Sequence, residues 1–194
     1  MSEDRFGVAY AHTAEWEGGV VNIKGDRGGK TAYGISSKYH PEMFENGIPS
    51  KDDAYDFFYR EYFLKNKCDK FDHMAFITWL FDLAVNSGRT GIKQFQLAIN
   101  DCIRSIPIKT EEIKADGIIG SKTISATKKF KSKLRMNVFN SLILKRRTVF
   151  YKRLARSKNQ DKFLKGWLNR AQACYDYCED FVEHHNYRPH SFKK

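Results

Sequence analysis

Apolar residues recur at helical spacing along most of this chain, apart from one stretch where that spacing disappears. Phe6, Tyr10 and Ala14 share a face of a helix predicted over 4–17, with Trp16 at its end. Gly18-Gly19 stops it, because glycine takes the left-handed conformation a helix C-cap needs. Residues 20–36 differ in character. Gly25, Gly28, Gly29 and Gly34 punctuate short pieces holding Val20, Val21, Thr31 and Tyr33, the pattern of a turn-rich loop or small β-hairpin. Helical spacing returns at Ser50, an N-cap followed by Asp52 and Asp53 in the first turn, with Ala54, Phe57, Phe58 and Phe63 apolar.

The next helix carries Phe76, Trp79, Leu80, Leu83 and Ala84 and is expected to close at Asn86-Ser87-Gly88. Ile92, Phe95, Gln96 and Ile99 mark another. Asp116-Gly117-Ile118-Ile119-Gly120 reads as a tight turn, with Ser121 capping the helix after it. Residues 122–155 read as one long or two abutting helices with Leu134, Val138, Leu142, Val149, Phe150 and Leu154 inward. A last helix holds Phe163, Trp167, Ala171, Cys174, Cys178 and Phe181, and the tail from His184 is polar. The expected architecture is mainly α, with a small β-hairpin or loop element after the first helix.

Composition narrows the function classes. At 194 residues, 41% hydrophobic and 14% aromatic, the chain can build a sizeable core and is not a disordered polymer. No apolar run approaches the roughly 20 residues of a membrane helix, so no stable membrane insertion is expected. The start, Met1-Ser2-Glu3-Asp4-Arg5, lacks the layout of a secretion signal. Synthesis in the cytoplasm is expected, with action elsewhere requiring a carrier. The net charge of +11 favours a polyanionic partner, nucleic acid or anionic cell wall. Cys68, Cys102, Cys174 and Cys178 show neither a CxxC pair nor zinc spacing and read as buried thiols. The six histidines show no metal spacing either.

The candidate chemistry centres on Glu17. It occupies the last turn of a helix, where the dipole disfavours a carboxylate and so favours the neutral acid, and Trp16 beside it adds desolvation. A neutral glutamic acid is what a glycosidase needs to protonate a leaving oxygen. Asp26 is the natural second carboxyl, past a glycine-rich turn able to fold it across a cleft from Glu17. Thr31 and Tyr33 offer hydroxyls to the same cleft. Asp82 and Asn86, four apart on one helix face, read either as hydrogen-bonding groups for a sugar or as a helix C-terminal cap. The basic run Lys128 to Lys133 and the cluster Lys145-Arg146-Arg147 read as solvated helix faces that steer the protein toward an anionic wall.

Three groups of residues together resemble the signature of glycoside hydrolase family 108, the lysozyme-like N-acetylmuramidases: Glu17-Gly18-Gly19, Asp26-Arg27-Gly28-Gly29-Lys30-Thr31 and Tyr33-Gly34-Ile35-Ser36. The second half resembles the peptidoglycan-binding region that accompanies that family. Its marks are Asp82 to Gly88, Asp116 to Gly120 with Thr123, and Phe163, Gly166-Trp167 and Arg170. The chain departs from the family in its spacer. Val20 stands where an aromatic residue is common, and Asn22-Ile23-Lys24 where Asn-Asp-Pro is common, which leaves Asp26 as the one acid of the loop.

The resemblance implies a lysozyme-like fold and hydrolysis of the β-1,4 bond between N-acetylmuramic acid and N-acetylglucosamine. Glu17 would be the general acid, Asp26 a base or orienting carboxylate, and no metal or organic cofactor would take part. It implies a catalytic lobe over 1–71, a helical peptidoglycan-binding lobe over 72–188 and a flexible tail over 189–194. Members of the family are phage endolysins or bacterial enzymes that help large proteins cross the wall. Action in the periplasm or cell wall as a monomer is therefore expected, reached through a holin or a secretion system. The alternatives are a non-catalytic wall-binding module, which the same charge and aromatics would serve, and a nucleic-acid binder, for which no motif is present.

Overall fold

A computed structural model describes residues 2–18 and 30–183. The first helix, α1, spans Ser2–Glu17. A two-stranded antiparallel hairpin follows, β1 at Thr31–Ala32 and β2 at Ile35–Ser36, paired Thr31 with Ser36 and Ala32 with Ile35. Then come a 3-10 turn Pro41–Phe44, helix α2 at Lys51–Phe58 running into a π-helical turn Tyr59–Leu64, and a 3-10 turn Cys68–Lys70. The long α3 spans Met74–Ser105, α4 Ser121–Thr127, α5 Lys133–Lys158 and α6 Asp161–Glu183. The fold is mainly α with a small β element after the first helix, as the pattern of apolar positions predicts. No helix among the described residues is long and apolar enough to cross a membrane.

Local chemistry fixes several boundaries. Ser50 and Asp53 form a reciprocal capping box at the start of α2: Ser50 Oγ accepts from the Asp53 amide at 3.1 Å and Asp53 Oδ2 accepts from the Ser50 amide at 2.8 Å. Within α3 the helix through Trp79 closes at Gly88, as the sequence predicts: Gly88 has the non-helical values φ 53° and ψ −138°, and a second helical stretch follows across the kink. That backbone conformation is open to glycine and closed to residues with a Cβ. At the bend the Leu83 carbonyl comes so close to Gly91 that a Cβ on residue 91 would lie 2.1 Å from its oxygen.

The first half of α3 is buried on almost every side. Phe76, Ile77, Trp79, Leu80, Phe81 and Leu83 are at most 2% exposed. Around them lie α1, α5 and α6, so α3 is the axis of the molecule. One apolar cluster joins Phe6, Phe57 and Phe63 from the first third of the chain to Phe139, Cys174 and Val182 from the last. All four cysteines are buried and free.

Two expectations for the later helices are corrected. Gly120, not Ser121, is the N-cap of α4, and Ser121 is the first helical residue. In α5 the inward stripe is Met136, Phe139, Asn140, Ile143, Arg147, Tyr151 and Ala155. Of the residues expected inward, Leu134 is 66% and Val149 41% exposed, and Leu142 and Phe150 are only partly covered. The cause is polar burial. Asn140 accepts from Trp79 Nε1 at 2.6 Å and donates to the Tyr175 carbonyl at 3.2 Å, and Arg147 is wholly buried against Asp82. Their partners sit on other helices, so apolar spacing along α5 alone points to the wrong face. Arg147 is accordingly no part of a solvated basic cluster.

Candidate active site

Glu17 is the last residue of α1, and Gly18 after it takes the left-handed conformation at φ 73°. The hairpin closes over it. Its two-residue turn is Tyr33-Gly34, with φ 49° and 83°, the paired positive values that a type I′ turn requires. A Cβ on Gly34 would lie 2.9 Å from Glu17 Cβ and 3.0 Å from Glu17 Oε2. Glycine at 34 therefore serves both the turn and the approach of the hairpin backbone to the carboxyl group.

The other side of Glu17 is held from far along the chain. Arg170 on α6 forms an ion pair with Glu17 Oε1 through Nη1 at 2.7 Å, with the two side chains 7% and 19% exposed. The same guanidinium meets Asp82 Oδ1 through Nε at 2.9 Å and Nη2 at 2.8 Å. Asp82 Oδ2 pairs with Arg147 Nη1 at 2.5 Å, both groups fully buried. Burial alone would raise the Asp82 carboxyl, but Arg147 and Arg170 outweigh it and hold the group below its ordinary value. Arg147 Nε donates to Tyr151 Oη at 2.8 Å, and Tyr151 Oη donates to Asn86 Oδ1 at 2.5 Å. A continuous polar chain thus runs from Glu17 through α6 and α3 to α5, inside the apolar core.

Tyr10 and Tyr62 lie within the field of Glu17. Both hydroxyls are pushed up from their ordinary value, by burial first and by the negative charge of Glu17 next. Tyr62 also lines an open cleft of about 310 Å³ with His40, Asn66, Ala84, Arg89 and Gly117.

The structure thus brings Glu17 together with the Tyr33-Gly34 turn. Thr31 lies half-buried in β1 of the same hairpin. Asp26 lies outside the described residues. Asp82 is closed to solvent and its oxygens are taken by guanidinium groups, so it reaches Glu17 only through Arg170. Asn86 is half-buried and accepts from Tyr151 and from Ser87 Oγ at 2.9 Å. Asp116 caps its own turn, accepting from the Ile118 amide at 3.0 Å, and the buried Gln96 ties that turn to α3. His12, Asp82 and Cys174 carry ligand atoms within 4.8 Å of one another. Two arginines already bound to Asp82 oppose a further cation there, and burial pushes the Cys174 thiol well up, so these residues do not suit a metal ion.

Sequence reasoning passed over Tyr151 and Tyr62, read Arg147 as solvated, and gave Arg170 no role at the site. Tyr10 carries a usable signal, since it lies seven residues before Glu17, two turns back on the same helix face. Arg170 carries one too, as a charged residue adjoining the apolar stripe Ala171, Cys174, Cys178 of α6.

Residues 10–88 match the glycosyl hydrolase 108 family, and residues 94–172 match a family described as a predicted peptidoglycan domain. The two matches meet within α3, on either side of residues 89–93. The structure of Brucella abortus SagA has the same fold, with a TM-score of 0.65 at 23% identity over 91% of this chain and 95% of that one. No curated protein sequence matches the chain.

Proposed function

We propose, from the premise that this chain belongs through residues 10–88 to the glycosyl hydrolase 108 family, that it is an N-acetylmuramidase. The substrate is the bacterial peptidoglycan strand, in keeping with the predicted peptidoglycan domain at 94–172. The bond cleaved is the β-1,4 link from N-acetylmuramic acid to N-acetylglucosamine. Glu17 is the general acid. The observation that carries this reading is the placement of Glu17 at a helix end, between Arg170 and the backbone of a glycine-turned hairpin.

In the proposed reaction a protonated Glu17 hands its proton to the glycosidic oxygen as the bond to the anomeric carbon breaks, and a water molecule supplies the hydroxyl that ends on that carbon, its remaining proton restoring the acid-base pair. Oε1 stays with Arg170, which compensates the carboxylate charge left behind, and Oε2, on the hairpin side, is the oxygen that faces the sugar. The proposal assigns Asp26 as the base or orienting carboxylate and Thr31 and Tyr33 as sugar-contacting hydroxyls. Asp82 and Asn86 become positioning residues: Asp82 holds Arg170, and Asn86 holds Tyr151 on Arg147. Catalytic residues 1–71 and helical residues 72–188 are retained as working lobes, with the protein acting as a monomer on the cell wall after release or export by a holin or secretion partner.

The test is mass spectrometry of purified peptidoglycan digested with wild-type protein and with Glu17→Gln, which keeps shape and removes the donor. Muropeptides ending in reducing N-acetylmuramic acid, released by wild type and reduced at least a hundredfold in the variant, are expected. Equal release by both proteins removes Glu17 from the mechanism. Reducing N-acetylglucosamine ends or anhydro ends replace the bond or the reaction type. Wall binding without products from wild type leaves a non-catalytic binding module.

A further inference from the structure

The second half of the molecule carries a cleft that neither the core nor the site around Glu17 uses. It is open, about 480 Å³, and lies between α3 and α5, with every lining residue between Gln94 and Arg153. On the α3 side stand Leu97, Asp101 and Arg104, and on the α5 side Leu142, Lys145, Arg146, Val149, Phe150 and Arg153. The floor is the apolar stripe that helical spacing predicts to be inward. Leu142 and Val149 repeat seven apart: Leu142 packs partly against the edge of the core, and α5 leaves Val149 41% exposed. An apolar stripe at core spacing, kept at the surface and flanked by cations, calls for an occupant with both apolar and anionic groups.

The charges are arranged rather than scattered. Asp101 receives Arg146 at Oδ2, Arg146 Nη2 at Oδ1 at 2.7 Å, and Arg104 Nη2 at Oδ1 at 2.5 Å. One carboxylate therefore fixes two guanidinium groups side by side across the two helices. Burial would raise the Asp101 carboxyl, and these hydrogen bonds outweigh it and keep the group ionised. Lys145 and Arg153 make no ion pair among the described residues and leave their charge to a ligand. Four cations against one anion line an apolar floor of Leu97, Leu142, Val149 and the half-buried Phe150. Three of these four side chains are aliphatic and fit methyl and methylene groups.

We infer that this cleft binds the peptide stem of peptidoglycan, a short acidic peptide whose free carboxylates meet Lys145 and Arg153 while its small aliphatic side chains lie on Leu97, Leu142 and Val149. The inference rests on the peptidoglycan reading above and gives the second half a defined task. It reads the peptides while the site around Glu17 takes the glycan.

The experiment titrates the full chain with the tetrapeptide L-alanyl-γ-D-glutamyl-meso-diaminopimelyl-D-alanine by isothermal calorimetry, comparing wild type, Lys145→Glu/Arg153→Glu and Val149→Asp. Helix content and melting temperature are recorded for each. Saturable binding by wild type, weakened at least tenfold in both variants with unchanged helix content, is expected. Absence of tetrapeptide binding to wild type, or equal binding by all three proteins, overturns the assignment. So does a double variant that loses affinity for a DNA duplex while wild type ignores the peptide, since the cleft would then serve nucleic acid. Cleavage of peptide-free glycan strands by wild type, followed in parallel, reports on the proposed hydrolysis separately, so failure of one reading is not mistaken for failure of the other.

Discussion

At the scale of single residues, the organising fact is that Glu17 is held by a guanidinium supplied 153 positions later in the chain. Arg170 is 7% exposed and divides its donors between Glu17 and Asp82. Arg170→Gln is expected to lower the turnover of peptidoglycan at least tenfold while sedimentation with insoluble wall is retained, and Arg170→Lys to recover part of the loss. Turnover and wall binding falling together would make Arg170 only a fold residue. Asp82 illustrates the electrostatics beneath. Asp82→Asn leaves buried Arg147 without its anion, at a cost of about 3–5 kcal/mol, measurable by urea unfolding at pH 7. Asp82 titrates below its ordinary value of 3.8 in the folded protein, because Arg147 and Arg170 outweigh the burial that would raise it. Its contribution is therefore complete above pH 3.8 and is lost as pH falls through the lower folded value. The stability gap between wild type and Asp82→Asn should narrow below that pH.

At the scale of elements, α3 decides how the halves meet. The helix breaks at the non-helical Gly88 and a second helical stretch follows across the kink, and the Leu83 carbonyl packs where a Cβ at residue 91 would stand. Gly91→Ala must push that carbonyl away, and Gly88→Ala must hold a conformation costing about 1–3 kcal/mol for a residue with a Cβ. Both variants should lower the melting temperature, Gly91→Ala more because its obstacle is backbone. Differential scanning calorimetry of the two against wild type checks the order. The capping box at Ser50 and Asp53, by contrast, is a local device that four consecutive residues specify.

At the scale of the whole molecule, one apolar cluster spans residues from Phe6 to Val182, and a polar chain threads through it from Glu17 to Tyr151. The family matches divide the chain at residues 89–93, but the packing does not. A fragment of residues 1–88 would expose Phe76, Trp79 and Phe81 and would lack Arg147 and Arg170. It should show no cooperative thermal transition and no release of muropeptides. A sigmoidal transition with native-like hydrolysis would show that the first half is a self-sufficient enzyme.

The helical class, the small hairpin after α1, the cap at Ser50 and the candidacy of Glu17 were legible in the sequence. Each rests on residues close in the chain: 3.6-residue spacing, Gly18 after a helix, and Tyr33-Gly34 at a turn. The inward face of α5 and the partner of Glu17 were decided only by the tertiary structure, whereas the break in α3 at Gly88 was legible in the sequence. Burying Arg147 and Asn140 is favourable only because Asp82, Trp79 and Tyr175 arrive from other helices with matching groups, and no local pattern records that arrival. The same holds at the site. A glutamate at a helix end is a local feature, but the guanidinium that fixes one of its oxygens, and the glycine turn that closes over the other, meet it only in the folded chain.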